Sequence, residues 1–206
     1  TNIGIIFFNS NDRCTTHTIQ RFKDDISGIL YVSDSIENGV RTARKSLEFQ
    51  YDNSPFLKEQ LPQAKFTETE ITFTNSLGKQ TGIRLFGAKS GIRGVKIFNK
   101  RPVLAILDDL VSDSDSRSKL AMDDIKATVF SGVWYALDPV NRKMVMNATP
   151  FTKQDIAYEA IESGAWEVNV WPVAEKFPCS KEEFSGAWPD RFSFETISEQ
   201  YRLAEL

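Results

Sequence analysis

Two hydrophobic periods alternate along this chain. Short apolar runs with a period of two, or with no period, give way to stretches in which apolar residues recur every three to four positions. Ile3 to Phe8 predicts a first strand and Gly28 to Ser33, reading GILYVS, a second. Behind it Ile36, Val40, Ala43 and Leu47 define one inward face of a helix, with Arg41, Arg44 and Lys45 outside it and Asp34 or Ser35 as its N-cap. Glu70–Thr74 and Gly82–Phe86 alternate on either side of a loop containing Gly78, which predicts an antiparallel hairpin added to a sheet. Val103 to Leu107 is apolar without alternation, as expected of a central strand covered on both faces. Lys143 to Thr149 predicts another inner strand. Thr152 to Asp155 resembles a capping box, with Gly164 closing its helix. Trp166, Val168 and Val170 alternate in a further strand, and Ser193 caps a last helix. Strands joined by crossover helices predict a three-layer α/β domain with a mainly parallel sheet.

Composition narrows the class. With 206 residues, 41% of them apolar, the chain is long enough to bury a full core, and one domain over residues 1–206 is expected. A formal charge of −3 leaves no global basic field, so contact with nucleic acid requires a local patch. Two cysteines far apart, Cys14 and Cys179, and a single histidine, His17, disfavour a structural zinc site or a disulfide framework and point to a reducing compartment. No apolar run approaches the roughly 20 residues that cross a bilayer. The opening residues lack the basic flank and cleavage site of a secretory leader.

The chemistry gathers at VLAILDD, where the run Val103–Leu107 ends on Asp108 and Asp109. In a parallel sheet, ligands collect at the carboxyl ends of the strands, where loops open and helix N-termini point outward. Adjacent carboxylates there suit a nucleotide, one holding Mg²⁺ through water and the next orienting or deprotonating an attacking water. The competing reading is that the pair caps the following segment.

The order of neighbouring segments carries a resemblance. GILYVSDSIENGVRTARK, FGAKSGIRGVKIFNKRP, VLAILDD, MVMNATPFTKQDIAYEAIESGAWEV and GAWPDRFSFETISEQY follow one another as in the ATPase domain of the large terminase subunit, the viral motor that packages double-stranded DNA into a procapsid. The resemblance covers about residues 28 to 204. It implies a P-loop NTPase fold of the RecA-like kind, with an added β-hairpin, in which VLAILDD is the Walker B motif. ATP and Mg²⁺ are then the cofactors, Asp108 the magnesium-associated acid and Asp109 the catalytic carboxylate, although many members carry Glu at that second position. Asn147 to Phe151 resembles the coupling motif, in which the Thr149 hydroxyl senses the γ-phosphate; the same threonine also reads as a turn residue before Pro150. Gly91-Ile92-Arg93-Gly94 resembles the loop whose arginine reaches a neighbouring subunit's nucleotide. Arg93 is also placed to meet a DNA phosphate, or solvent.

One family feature is missing from the sequence. A phosphate-cradling loop reads G-x-x-x-x-G-K-[ST], whereas the first strand is followed by NSNDRCTTHT, with neither glycine nor lysine. Arg13 and the pair Thr15 and Thr16 are the residues available to replace the lysine and the magnesium-binding hydroxyl. A divergent loop that still binds nucleotide, a loop that has lost hydrolysis and a chain lacking the intact motor's own segment are all compatible with this. The second would leave a hydrolysis-deficient P-loop-like module that binds DNA or protein partners.

The acids Asp113, Asp115, Asp123 and Asp124 are expected on a solvated helical face, and Lys96 to Arg101 on an exposed loop able to touch DNA backbone. A nuclease using Asp34, Asp108 and Asp109 is the remaining rival. The resemblance further implies double-stranded DNA, the portal protein and the small terminase subunit as partners, a homo-oligomeric ring, no membrane, and work in the cytoplasm of the infected host cell, transiently at the procapsid portal. The family's C-terminal nuclease domain is expected to be absent from this chain.

Overall fold

The computed structural model describes residues 2–8, 28–150, 152 and 154–204. Eight strands form one sheet in the order β3-β4-β5-β2-β6-β7-β1-β8. They are β1 (Asn2–Phe8), β2 (Gly28–Ser33), β3 (Gln63–Phe66), β4 (Glu70–Thr74), β5 (Gln80–Gly87), β6 (Leu104–Asp108), β7 (Lys143–Ala148) and β8 (Glu167–Pro172). The centre β5-β2-β6-β7 is parallel. β4 pairs antiparallel with both β3 and β5 on one side, and β1 with both β7 and β8 on the other. The arrangement is a mixed α/β sheet in which only β4 and β1 oppose the prevailing direction. The expected hairpin is present as β4–β5, but β5 is a full member of the parallel centre and not an appendage.

Alternation along the central strands divides the core between the two faces. Leu30 and Val32 of β2, Ala105 and Leu107 of β6, and Met144 and Met146 of β7 are buried on one face. Above them lie helix α3 (Lys119–Ala127) with its π-helical continuation Thr128–Val133, and helix α4 (Ile156–Glu162), through Met122, Ile125, Val129, Ile156 and Ala160. On the other face Val40, Ile71 and Leu85 pack with Tyr31 and Leu47 under helix α1 (Arg41–Asn53). Each fully buried aliphatic side chain of this kind contributes about 1.5–3 kcal/mol. Short α2 (Pro55–Gln60) follows α1, and α5 (Phe194–Ala204) ends the described chain.

Caps explain most helix starts. Ser35 accepts the Asn38 N–H at 3.2 Å, at the head of a π-helical turn, Ile36–Val40, that leads into α1. Ser118 caps α3, and the Ser193 hydroxyl accepts from the Thr196 N–H at 3.3 Å ahead of α5. At α4 the cap is Asp155, which accepts the Ala157 N–H at 3.0 Å, so the helix begins one turn after the Thr152 start the sequence suggested. Gly164, at φ +64°, closes it as expected.

The crossover from β5 to β6 needs no helix. Residues 88–101 run back along the sheet with Ala88, Ile92 and Ile97 buried in the main core. Ile97 is admitted by Gly82, where an added Cβ would lie 2.5 Å from its Cγ2. Among the described residues no helix is long and apolar enough to cross a membrane.

Candidate functional site

The parallel register brings three strand ends together. Ser33 of β2 pairs with Asp108 of β6, and Asp108 with Asn147 of β7. Asp108 thus reaches the carboxyl edge between two neighbours that can hold it. The Tyr31 hydroxyl donates to Asp108 Oδ2 at 2.6 Å, and the Asn147 side-chain amide lies 3.5 Å from Oδ1. Burial, and then the Asp108 carboxylate, push the Tyr31 hydroxyl well above its ordinary pKa, so it stays protonated and donating.

Asp109 continues the ladder by one rung, its N–H donating to the Asn147 carbonyl at 3.0 Å, and then turns the chain with φ at +41°. Left-handed backbone is uncommon for a side-chain-bearing residue, although Asp tolerates it better than most. The turn sets the carboxylate toward the end of β7, where it accepts the Thr149 N–H at 3.2 Å. Partial withdrawal of this carboxyl from water, followed by the charge of Asp108, raises its pKa. The Thr149 hydrogen bond opposes the rise, while Asp34 and Asp155 add to it.

An open cavity of about 320 Å³ lies against these groups, lined by Tyr31, Ser33, Asp34, Gly39, Asp108 and Asp109 among others. No lysine, arginine or histidine is among its described lining residues. Asp34 is fixed at its rim by accepting the Gly39 N–H at 3.0 Å. Gly39 has no alternative there, because an added Cβ would come within 2.0 Å of Ser33 Oγ and 2.5 Å of Asp34 Oδ1. On the far side of Asp109 a second cleft, of about 10 Å³, lies between Thr149 and buried Asp155, the size of about one water.

Carboxylates with no cation among the described lining residues disfavour a bare polyphosphate there and suit one accompanied by a cation. Mg²⁺ is usually bound through one or two carboxylates together with substrate phosphates. Asp108 provides one such carboxylate, so the residues present fit a magnesium–nucleotide complex. Among the described residues no group of three or more acids, histidines or cysteines is disposed to hold a metal by itself. The three-acid arrangement that Asp34, Asp108 and Asp109 would need for a nuclease is not among them.

The remaining candidates are dispersed. Arg93 is exposed in the crossover loop beside buried Ile92 and does not line the cavity of its own chain. Arg13, Thr15 and Thr16, with His17 and Cys14, lie outside the described residues. β1, which precedes them, runs opposite to β7, pairing Phe8 with Met144 and Gly4 with Ala148. Its last residue therefore stands at the sheet end remote from Asp108, in contrast to the strand-then-phosphate-loop order that the resemblance implies.

Asp115 departs from its expectation. It is not solvated but 7% exposed, ion-paired to Lys89 and accepting from the Ser112 hydroxyl at 2.9 Å. Burial acts to raise its pKa, but the bonds from Lys89 and Ser112 together outweigh it and bring the value down. The pair joins the loop after β5 to the loop after β6, both of which leave from the carboxyl edge. The sequence reading also passed over Tyr31, whose signal is a lone hydroxyl inside the apolar run GILYV.

No protein-family model matches the chain, and no curated protein matches it.

Proposed function

We propose that the chain is the ATPase domain of a large terminase subunit, which couples ATP hydrolysis to translocation of double-stranded DNA into a procapsid. One observation carries the reading. Two adjacent carboxylates end a central parallel strand at a cavity with no basic residue among its described lining residues, and the second of them, Asp109, is hydrogen-bonded to the Thr149 segment that resembles the coupling motif.

In this reading Asp108, held by Tyr31 and Asn147, is the residue that would hold Mg²⁺. The ion, when bound, would supply neutralisation of the phosphate charge. Asp109 orients the attacking water and takes its proton as the water oxygen bonds to the γ-phosphorus and the bond to the ADP oxygen breaks. A carboxylate with raised proton affinity is better suited to that task than an ordinary aspartate. Because Asp109 also holds the Thr149 N–H, a change at the acid is passed directly to the end of β7. Arg93, absent from its own cavity, serves a neighbouring subunit, which requires a ring. The partners are the DNA duplex, the portal protein and the small terminase subunit, and the work takes place in the infected cell's cytoplasm at the procapsid portal.

A second reading, a module of the same fold that binds DNA or protein without hydrolysis, is favoured by the direction of β1. Phosphate release from Mg-ATP by the chain and by Asp109→Asn separates the two, with cutting of duplex DNA followed in the same samples. Turnover lost on substitution supports the motor, and nucleotide binding without turnover supports the second reading. DNA cutting supports the nuclease.

A further inference from the structure

We propose that Tyr31 is a positioning residue of the metal site, its hydroxyl clamping Asp108 from β2 while Asn147 closes from β7. The inference rests on the reading of Asp108 as the magnesium-associated acid. It goes beyond that reading by assigning work to a side chain on a different strand.

Register makes the clamp possible. Asp108 lies opposite Ser33, two residues beyond Tyr31, an offset of about 6.6 Å along a strand. A tyrosine side chain leaning along the sheet spans that distance, whereas serine or threonine at the same position would not. The resulting O–H···O contact of 2.6 Å falls in the range of charge-assisted hydrogen bonds, which are roughly twice as strong as neutral ones. With Oδ2 engaged by Tyr31 and Oδ1 approached by Asn147, both carboxylate oxygens are restrained, so the group enters metal binding already oriented. The ring has separate work, packing beside the cluster of Val40, Ile71 and Leu85. Phenylalanine would serve that packing equally well; the hydroxyl serves Asp108.

The division between ring and hydroxyl gives the test. Mn²⁺ binding in the presence of ADP is measured by electron paramagnetic resonance for the unaltered chain, Tyr31→Phe, Asp108→Asn and the double variant, with thermal melts of each. Groups that orient a metal ligand typically account for 10- to 100-fold in affinity. Because this metal contact would be through water, Tyr31→Phe is expected to weaken Mn²⁺ binding by about 10-fold, with a melt lowered by only a few degrees for the loss of one charge-assisted bond and the chain still folded under the conditions of the measurement. The double variant is expected to bind no worse than Asp108→Asn alone, and Asn147→Ala to show a smaller loss, in keeping with its longer contact. Unchanged affinity in Tyr31→Phe overturns the proposal, as does a loss that persists undiminished without the Asp108 carboxylate. If the unaltered chain binds no Mn²⁺ with ADP, the metal assignment itself fails, an outcome distinct from equal binding by chain and variant.

Discussion

The Asp109 carboxylate accepts the backbone N–H of Thr149 at 3.2 Å, across the ends of two adjacent parallel strands. Together with the Asp109 N–H bonded to the Asn147 carbonyl, it makes a two-way link between the acid pair and the segment after β7. The two segments are therefore joined by the acid itself, and replacing it tests charge and linkage separately.

Asp109→Asn keeps an oxygen acceptor for Thr149 and removes the charge. A carboxyl whose folded pKa is raised favours the fold most below its ordinary range and loses that contribution as pH rises through the raised value. The variant should therefore melt slightly higher than the parent at pH 7, a small difference because solvent screens the charge at this exposed position, and the difference should vanish toward pH 3. Phosphate release from Mg-ATP should be lost in the same variant. Thermal melts across pH, set beside turnover, check both.

Gly39→Ala should open the rim of the cavity. Its new methyl group would meet Ser33 Oγ and Asp34 Oδ1 well inside contact distance, so the π-helical turn or the end of β2 has to shift. Overpacking of this kind costs about 1–3 kcal/mol. A denaturant midpoint lowered by that amount, with weaker nucleotide binding, is the expected result.

Asp115→Asn should destabilise the chain by about 1–2 kcal/mol, the lower part of the range for charge-assisted bonds because Lys89 is half exposed. The sign with pH is opposite to that at Asp109. A lowered folded pKa gives stability that is present above the ordinary carboxylate range and lost as pH falls through the lowered value. Parent and variant should thus converge in acid, and urea unfolding at pH 7 and pH 3 measures it.

Arg93→Ala should leave the isolated chain's fold and nucleotide affinity unchanged, since the side chain is exposed and outside its own cavity. In an assembled ring it should lower turnover by about 10³-fold or more, the usual effect of an arginine supplied across an interface. Turnover compared between monomer and ring preparations decides whether the residue works on a neighbour.

Hydrophobic period and cap chemistry made much of this fold legible. The central strands, the helix after GILYVS, the β4–β5 hairpin and the acid tip of β6 all follow from apolar spacing and from Ser, Asp and Gly at the right offsets. β3 escaped because QAKF is only four residues with a single apolar pair, Ala64 and Phe66, and it is defined by pairing with β4. The direction of β1 escaped for a different reason, since an apolar run specifies burial but not which way its backbone pairs. The partner of Tyr31 is set by strand register, and the burial of Asp115 by Lys89 arriving from another loop. Both are tertiary facts that no local pattern encodes.

If the cavity takes a nucleotide only together with a divalent cation, an ATP titration with and without Mg²⁺ separates the two conditions. With three carboxylates and no cation among the described lining residues, the expectation is saturable binding in Mg²⁺, little or none in excess chelator, and marked weakening in Asp108→Asn. Equal affinity with and without the metal, or no binding under either condition, would contradict it.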